Sequence, residues 1–219
     1  MSDSFMVAAR IPMTREGFES WLDTPVPDLG RIANPEEMFT GWFWDGRPGD
    51  WTTVGADLTP GEFFAERVDD ACGGDEECGV VLHRDGALEV YLFHLGYSEW
   101  SIHTALLVLA AAGEFKSDPA DGTALFWAET GANLWPADAD GWLAVLSVGK
   151  DEARFVGERD LTDVVAALRP AESRFFELVG RLAEESEDFD WDSGEDFETE
   201  TPRDPAFTDP AVLEHSETE

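Results

Sequence analysis

The spacing of apolar side chains along the chain alternates between the period of a strand and the period of a helix. Residues 5–11 predict a first strand, closed by a proline. Phe18, Trp21 and Leu22 then recur at i, i+3 and i+4, which predicts a helix with one buried face. Thr14 stands where that helix begins and is a residue type that caps helix N-termini. The chain therefore opens with a strand followed by an amphipathic helix.

Residues 79–115 hold the strongest hydrophobic signal and predict two strands followed by a helix. The two strands, at 80–83 and 88–94, flank an Asp85-Gly86 dipeptide, which favours a tight hairpin because both residues tolerate positive φ.

The helix predicted after this hairpin is apolar on every side. Residues 102–112 are almost continuously apolar, and a helix of that kind has to be buried. At 1.5 Å per residue it covers only about half of a ~30 Å bilayer core. It is therefore predicted to be the centre of the core, with Gly113 ending it as a left-handed residue.

Further elements are predicted on both sides of this centre. Thr59-Pro60-Gly61-Glu62 has the pattern of a capping box and predicts a helix to about residue 71. Later in the chain, strands are predicted at 123–128, 142–148 and 153–156.

The last predicted elements are helical. A short helix is predicted at 160–168, and a second begins at Pro170. In the second helix an inner stripe is predicted at Phe175, Leu178, Val179 and Leu182.

Together these elements predict a single α+β domain of mixed α/β type over residues 1–183, with a mainly antiparallel sheet and packed helices. Residues 184–219 hold 15 acidic side chains and one basic residue, Arg203, and so carry −14 of the formal net charge of −34. Low hydrophobicity with high net charge does not offset the entropy of ordering a chain. The sequence therefore predicts a disordered acidic C-terminal tail over 184–219.

The charge of the whole chain narrows the classes of partner. The chain has 48 acidic and 14 basic side chains, and only Lys116 and Lys150 are lysines. Such a field repels nucleic acid and anionic lipid, so neither nucleic acid nor a membrane is an expected partner. It attracts basic proteins. The alternative is an acidic housekeeping protein of a salt-adapted or GC-rich host, whose charge serves no partner.

Compartment and redox state follow from the N-terminus and the cysteines. The opening residues lack a basic segment followed by an apolar run, so no signal peptide is predicted and a cytoplasmic location is expected. Cys72 and Cys78 are the only cysteines. A disulfide across the GGDEE loop between them is sterically feasible, but two thiols are favoured in a chain of this kind.

Residues that could carry catalysis are few. His83, His94, His103 and His215 show no metal-ligand spacing, and no phosphate-binding or nucleophile motif occurs. We therefore predict no cofactor, no metal site and no catalytic residue. An alternative hypothesis is that the protein is a metal-dependent enzyme or a small-ligand binder that uses the histidines near the central hairpin.

Two stretches remain as candidate binding sites. The first is a Trp-rich loop with large aromatic side chains around a Gly-Arg-Pro-Gly turn: Trp42, Phe43, Trp44 and Trp51. Aromatic residues of this kind dominate binding hot spots, although the same rings would also fill a core beneath a long loop. The second interleaves carboxylates with rings near the C-terminus: Asp188, Phe189, Asp190, Trp191 and Asp192. Its carboxylates can steer a basic partner while the rings anchor it, and the alternative is a solvated tail that aids solubility.

These observations favour a non-catalytic acidic protein that binds and neutralises a basic protein partner. An immunity protein or an inhibitor of a nucleic-acid-directed toxin would have this character. The sequence does not fix the oligomeric state.

Overall fold

The structure is a computed structural model, and it describes most of the chain. The described residues are 4–39, 57–73, 78–93, 99–118, 120, 122–129, 142–157, 161–190, 193–194 and 196–216. The predicted Trp-rich loop, His94 and the Cys72–Cys78 connection at 74–77 lie outside them.

In the part of the chain that the structure describes, six strands form one antiparallel sheet. They are β1 (Ser4–Pro12), β2 (Cys78–Arg84), β3 (Ala87–Phe93), β4 (Gly122–Glu129), β5 (Trp142–Val148) and β6 (Ala153–Val156). Their order is β2-β3-β1-β4-β5-β6. The first strand therefore lies inside the sheet, where Ala9 pairs with Val90 of β3 and Ala124 of β4.

Helices pack on both faces of the sheet. They are α1 (Arg15–Leu22), α2 (Pro60–Cys72), α3 (Glu99–Ala111), α4 (Thr162–Asp188) and the short α5 (Pro210–Leu213). Short 3₁₀ turns are found at Leu29–Arg31, Pro35–Phe39, Ala112–Phe115 and Thr201–Arg203.

The alternation of β1 divides the core into two parts. Val7 and Ile11 point to the face covered by α1, α2 and α3, while Met6 and Ala8 point to the face covered by α4. Because both faces are covered, the strand is apolar almost throughout, and residues 6–9 are fully buried. The predicted fold class is confirmed: a single α+β domain with a mainly antiparallel sheet and packed helices.

Several local predictions are confirmed. The hydroxyl of Thr14 accepts a bond from the Gly17 amide and caps α1. Thr59 and Glu62 form both bonds of the capping box of α2. The hairpin between β2 and β3 turns at Asp85 and Gly86, with φ values of 50° and 71°.

The buried central helix is also confirmed, although its end differs from the prediction. Residues 102–112 are buried, and the indole of Trp21 donates to the carbonyl of Val108 at 3.2 Å. Gly113, however, continues into a 3₁₀ turn and does not take a left-handed conformation. A Cβ at Gly113 would lie 2.0 Å from the carbonyl oxygen of Gly149, so close backbone approach explains this glycine.

The two helices predicted on either side of Pro170 are one helix of 27 residues. A proline inside a helix costs about 3 kcal/mol, because it removes one hydrogen bond and crowds the preceding turn. Pro170 points to solvent, while Leu168 and Ala171 beside it are buried against the sheet. Burial on both sides of the proline offsets the local penalty.

Both edges of the sheet are covered by irregular chain. At β2 the amide of Val81 donates to the Phe207 carbonyl at 2.9 Å, and the Asp209 amide donates to the Val81 carbonyl at 2.8 Å. At β6 the side-chain amide of Asn34 both donates to and accepts from the backbone of Phe155. Strand addition is therefore blocked at both described edges.

The predicted disordered tail over 184–219 is corrected. Helix α4 extends to Asp188, and residues 196–216, hereafter the C-terminal segment, fold back onto the domain. Phe207 and Val212 are fully buried. The prediction averaged the charge of the whole stretch and so missed a few apolar side chains that the domain buries. The domain boundary placed at residue 183 therefore does not separate packed from unpacked chain.

Candidate functional site

The structure describes three of the nine predicted binding residues. The other six lie outside the described residues: Trp42, Phe43, Trp44, Trp51, Trp191 and Asp192. Asp188 is the last residue of α4, Phe189 follows it with an extended backbone, and the Asp190 carbonyl accepts from the Ser193 amide at 3.0 Å. Both carboxylates are exposed, while Phe189 is half-buried.

The ring of Phe189 packs within its own chain. It meets Phe197 edge to face, with ring centroids 5.4 Å apart and planes at 81°. This pair links the end of α4 to the start of the C-terminal segment. The contact helps to turn the chain, and the role of Phe189 as an anchor for a partner stays a prediction.

Three arginine–aspartate pairs hold the C-terminal segment against the domain. They are Arg15–Asp209 at 2.6 Å, Arg181–Asp204 at 2.7 Å and Arg203–Asp69 at 2.5 Å. The pKa of Asp204 is lowered by the Ala206 amide and by Arg181, and the pKa of Arg15 is raised chiefly by its bond to Asp209. Such partly exposed pairs add little stability individually, so their main effect is to fix the path of the segment.

Elements distant in sequence meet where this segment turns. Arg203 reaches Asp69 at the end of α2, and the hydroxyls of Thr199 and Thr201 both donate to Glu185 on α4. The Thr199 amide also donates to the Cys72 carbonyl at 3.0 Å. The ends of α2 and α4 are thus joined through the C-terminal segment.

This junction gathers exposed carboxylates into one region, hereafter the acidic surface. Its members are Asp70, Glu184, Glu187, Asp188, Asp190, Asp196, Glu198 and Glu200. The two arginines at the junction, Arg181 and Arg203, are already paired with carboxylates of the chain. The C-terminal end of α4 adds the negative end of a helix dipole. The region therefore presents concentrated negative charge on an ordered scaffold.

The outer side of α4 exposes two large apolar side chains next to this surface. Phe176 is 41% exposed and Val179 is 37% exposed. The spacing of apolar residues predicts Val179 in the inner stripe with Phe175 and Leu178, but the structure places Val179 on the exposed side of the helix and corrects that assignment. The sequence offers no clear signal for this difference, because adjacent helical residues can share one buried face, as Val164 and Val165 do on the same helix.

The histidines and cysteines do not form a site among the described residues. In that part of the chain, no group of three or more His, Cys, Asp or Glu side chains could hold a metal ion. The ring nitrogen Nε2 of His83 lies 3.0 Å from the Met13 carbonyl, and His103 is fully buried in α3. Both cysteines are free thiols; burial raises the pKa of Cys78 to about 12, which disfavours its reactive thiolate.

A small cavity of about 190 Å³ lies between α4 and the end of β1. Arg10, Thr123 and Asp163 supply its polar atoms, and Val164 and Leu168 supply apolar walls. Arg10 lies on β1, Thr123 on β4 and Asp163 on α4, so three elements meet at this cavity.

No helix among the described residues combines the length and the apolarity that a bilayer crossing requires. In comparisons with family models, curated proteins and solved structures, none matches the chain. Its function has to be argued from its own residues.

Proposed function

We propose that this protein is a non-catalytic binding protein that engages a basic protein partner through the acidic surface and neutralises it. An immunity protein or an inhibitor of a nucleic-acid-directed toxin acts in this way. The observation that carries the proposal is the junction of α2, α4 and the C-terminal segment, where ion pairs hold exposed carboxylates together.

Electrostatics supplies the mechanism. A surface of one sign accelerates the encounter with an oppositely charged partner, and the gain falls as salt screens the field. Because the segment is held by Arg181, Arg203 and buried Phe207, the carboxylates are positioned before binding. Less conformational entropy is then lost when the complex forms than would be lost by a flexible tail.

The test compares two variants of equal net charge. The first neutralises the acidic surface: Glu184→Gln, Glu187→Gln, Asp188→Asn and Glu198→Gln. The control neutralises four exposed carboxylates elsewhere: Glu16→Gln, Glu36→Gln, Asp151→Asn and Asp163→Asn. Binding is measured by calorimetry at 50 and 200 mM salt, with a small basic ribonuclease and cytochrome c as probes.

We expect the wild type to form a salt-sensitive complex that the first variant weakens about tenfold more than the control does. Point changes are needed because removing the C-terminal segment would also remove core side chains. Equal losses of affinity in both variants would show that only the net charge matters and not the acidic surface. If the wild type forms no complex with either basic probe, the proposal is refuted.

The Trp-rich loop stays a prediction as a second contact. Trp42→Ala and Trp44→Ala, measured with the same probes, test it. A contribution from the loop would appear mainly in the dissociation rate, since aromatic anchors act after the encounter.

A further inference from the structure

We propose that the outer stripe of α4, formed by Phe176, Val179, Gly180 and Ala183, is the apolar anchor for an amphipathic basic helix of the partner. This inference rests on the proposed function and specifies the partner's chemistry. The four residues are spaced at i, i+3, i+4 and i+7, which places them on one side of a helix.

The stripe is not needed to hold α4 on the sheet. The inner side of the helix is anchored by Leu168, Phe175 and Leu178, each at most 1% exposed, and Phe175 stacks on Tyr91 with ring centroids 4.6 Å apart. The apolar side chains of the outer side are therefore available for a contact outside the domain.

The shape of the stripe suits close approach by another helix. The ring of Phe176 is supported edge-on by Phe175, with centroids 5.7 Å apart, which fixes it before binding. A Cβ at Gly180 would have nothing within 4 Å. Glycine inside a helix costs about 1 kcal/mol relative to alanine, and here it leaves a notch beside the exposed ring.

The charges around the stripe select a basic partner. Glu177 lies 3.7 Å from Arg174 and 3.3 Å from Arg181. Because Arg181 also pairs with Asp204 at 2.7 Å, each of these two cations has a carboxylate partner. Glu184 and Glu187 are exposed on the next turns and lead into the acidic surface. A second copy of this chain would bring another −34 charges to the same place, so like-charge repulsion disfavours self-association.

Two synthetic peptides serve as probes. One is an 18-residue leucine–lysine peptide that forms an amphipathic helix; the other has the same composition in a scrambled order. We expect the wild type to bind the amphipathic peptide about tenfold more tightly. The double variant Phe176→Ser, Val179→Ser should lose that preference and keep the salt-sensitive binding that both peptides share.

Two further variants control for folding and for the position of the anchor. Gly180→Gln fills the notch with a better helix former, so it should keep or raise the melting temperature and still reduce the preference at least threefold. Phe189→Ser changes an aromatic residue of the predicted binding stretch at 188–192, hereafter the acidic motif, and should leave the preference intact.

The possible outcomes separate the two proposals. Equal binding of both peptides by the wild type would overturn the apolar anchor and leave the proposed function standing. Loss of the preference in Phe189→Ser alone would move the anchor to the acidic motif and refute the stripe. Binding of neither peptide would overturn both proposals. Sedimentation would reveal a dimer of the wild type. If the wild type is dimeric and Phe176→Ser is monomeric, the stripe is an interface between two copies of this chain, and the basic partner is refuted.

Discussion

Arg31 shows how a single side chain closes the core at one end. Its guanidinium is nearly buried and donates to the carbonyl of Ala110 near the end of α3 and to carbonyls of residues 149–151 between β5 and β6. These bonds pair backbone groups that would otherwise be unsatisfied at a helix end and a turn. Gly113 lies against the Gly149 carbonyl and the Arg31 guanidinium, and a Cβ at this position would clash with both.

His103 is the residue whose titration should be visible in stability. It is fully buried, and burial lowers its pKa to about 4, below the ordinary value of about 6.5. As pH falls, the unfolded chain therefore takes up this proton first, and the stability that the neutral ring contributes above pH 6.5 is lost toward pH 4.

We expect this group to lower the free energy of unfolding by about 2 kcal/mol between pH 7 and pH 5. Because many carboxylates also titrate in this range, urea unfolding should be compared between the wild type and His103→Leu. The free energy of unfolding of the wild type minus that of His103→Leu should fall by about 2 kcal/mol between pH 7 and pH 5. A difference that is constant with pH would contradict a lowered pKa for His103.

At the scale of elements, the C-terminal segment completes the fold. It pairs with the outer edge of β2, and Phe207 inserts beneath α4, where Arg181 lies 4.8 Å above its ring. An edge strand left open would present unpaired backbone groups to other chains. The segment that carries many of the carboxylates is therefore also a structural part of the sheet.

Phe207→Ala should lower the free energy of unfolding by about 3–5 kcal/mol, the usual cost of removing a buried phenylalanine ring. The measurement is urea unfolding followed by tryptophan fluorescence. Phe189→Ala is the matched control: its ring is only half-buried, so it should cost about 1 kcal/mol. Unchanged stability in Phe207→Ala would mean that the segment does not pack on the domain.

At the scale of the whole molecule, the net charge of −34 works against the compact state. Ion pairs offset only part of this, since 14 basic side chains face 48 acidic ones. Screening should therefore stabilise the protein. The Debye length falls from about 30 Å at 0.01 M salt to about 8 Å at 0.15 M.

We expect the melting temperature to rise between 0.01 and 0.15 M sodium chloride and then to level off. A gain of about 1 kcal/mol corresponds to about 2–4 °C for a domain of this size. Sucrose at matched osmolality controls for effects other than screening. If the protein unfolds at low salt, the alternative of a protein from a salt-adapted host is favoured. If the melting temperature falls when salt is added, attractive ion pairs outweigh the repulsion.

Much of the fold could be predicted because its signals are local. The Thr59 capping box, the Asp85-Gly86 turn and the apolar run at 102–112 each act through neighbours in sequence, and the structure confirms all three. The candidate site was predicted less well. Whether Val179 faces inward depends on how α4 lies on the sheet, which the spacing of apolar residues does not specify.

Local pattern was enough to predict the strands, most of the helices, the buried α3 and the acidic charge, since these depend on short-range hydrogen bonding, side-chain spacing and composition. Packing between distant parts of the chain explains why one helix runs through Pro170, why Phe207 and Val212 bring the C-terminal segment back to the domain, and why Phe176 stays outside. Each depends on burial against residues far away in the chain. Because burial energy is gained only when those surfaces meet, local pattern and average charge do not reveal it.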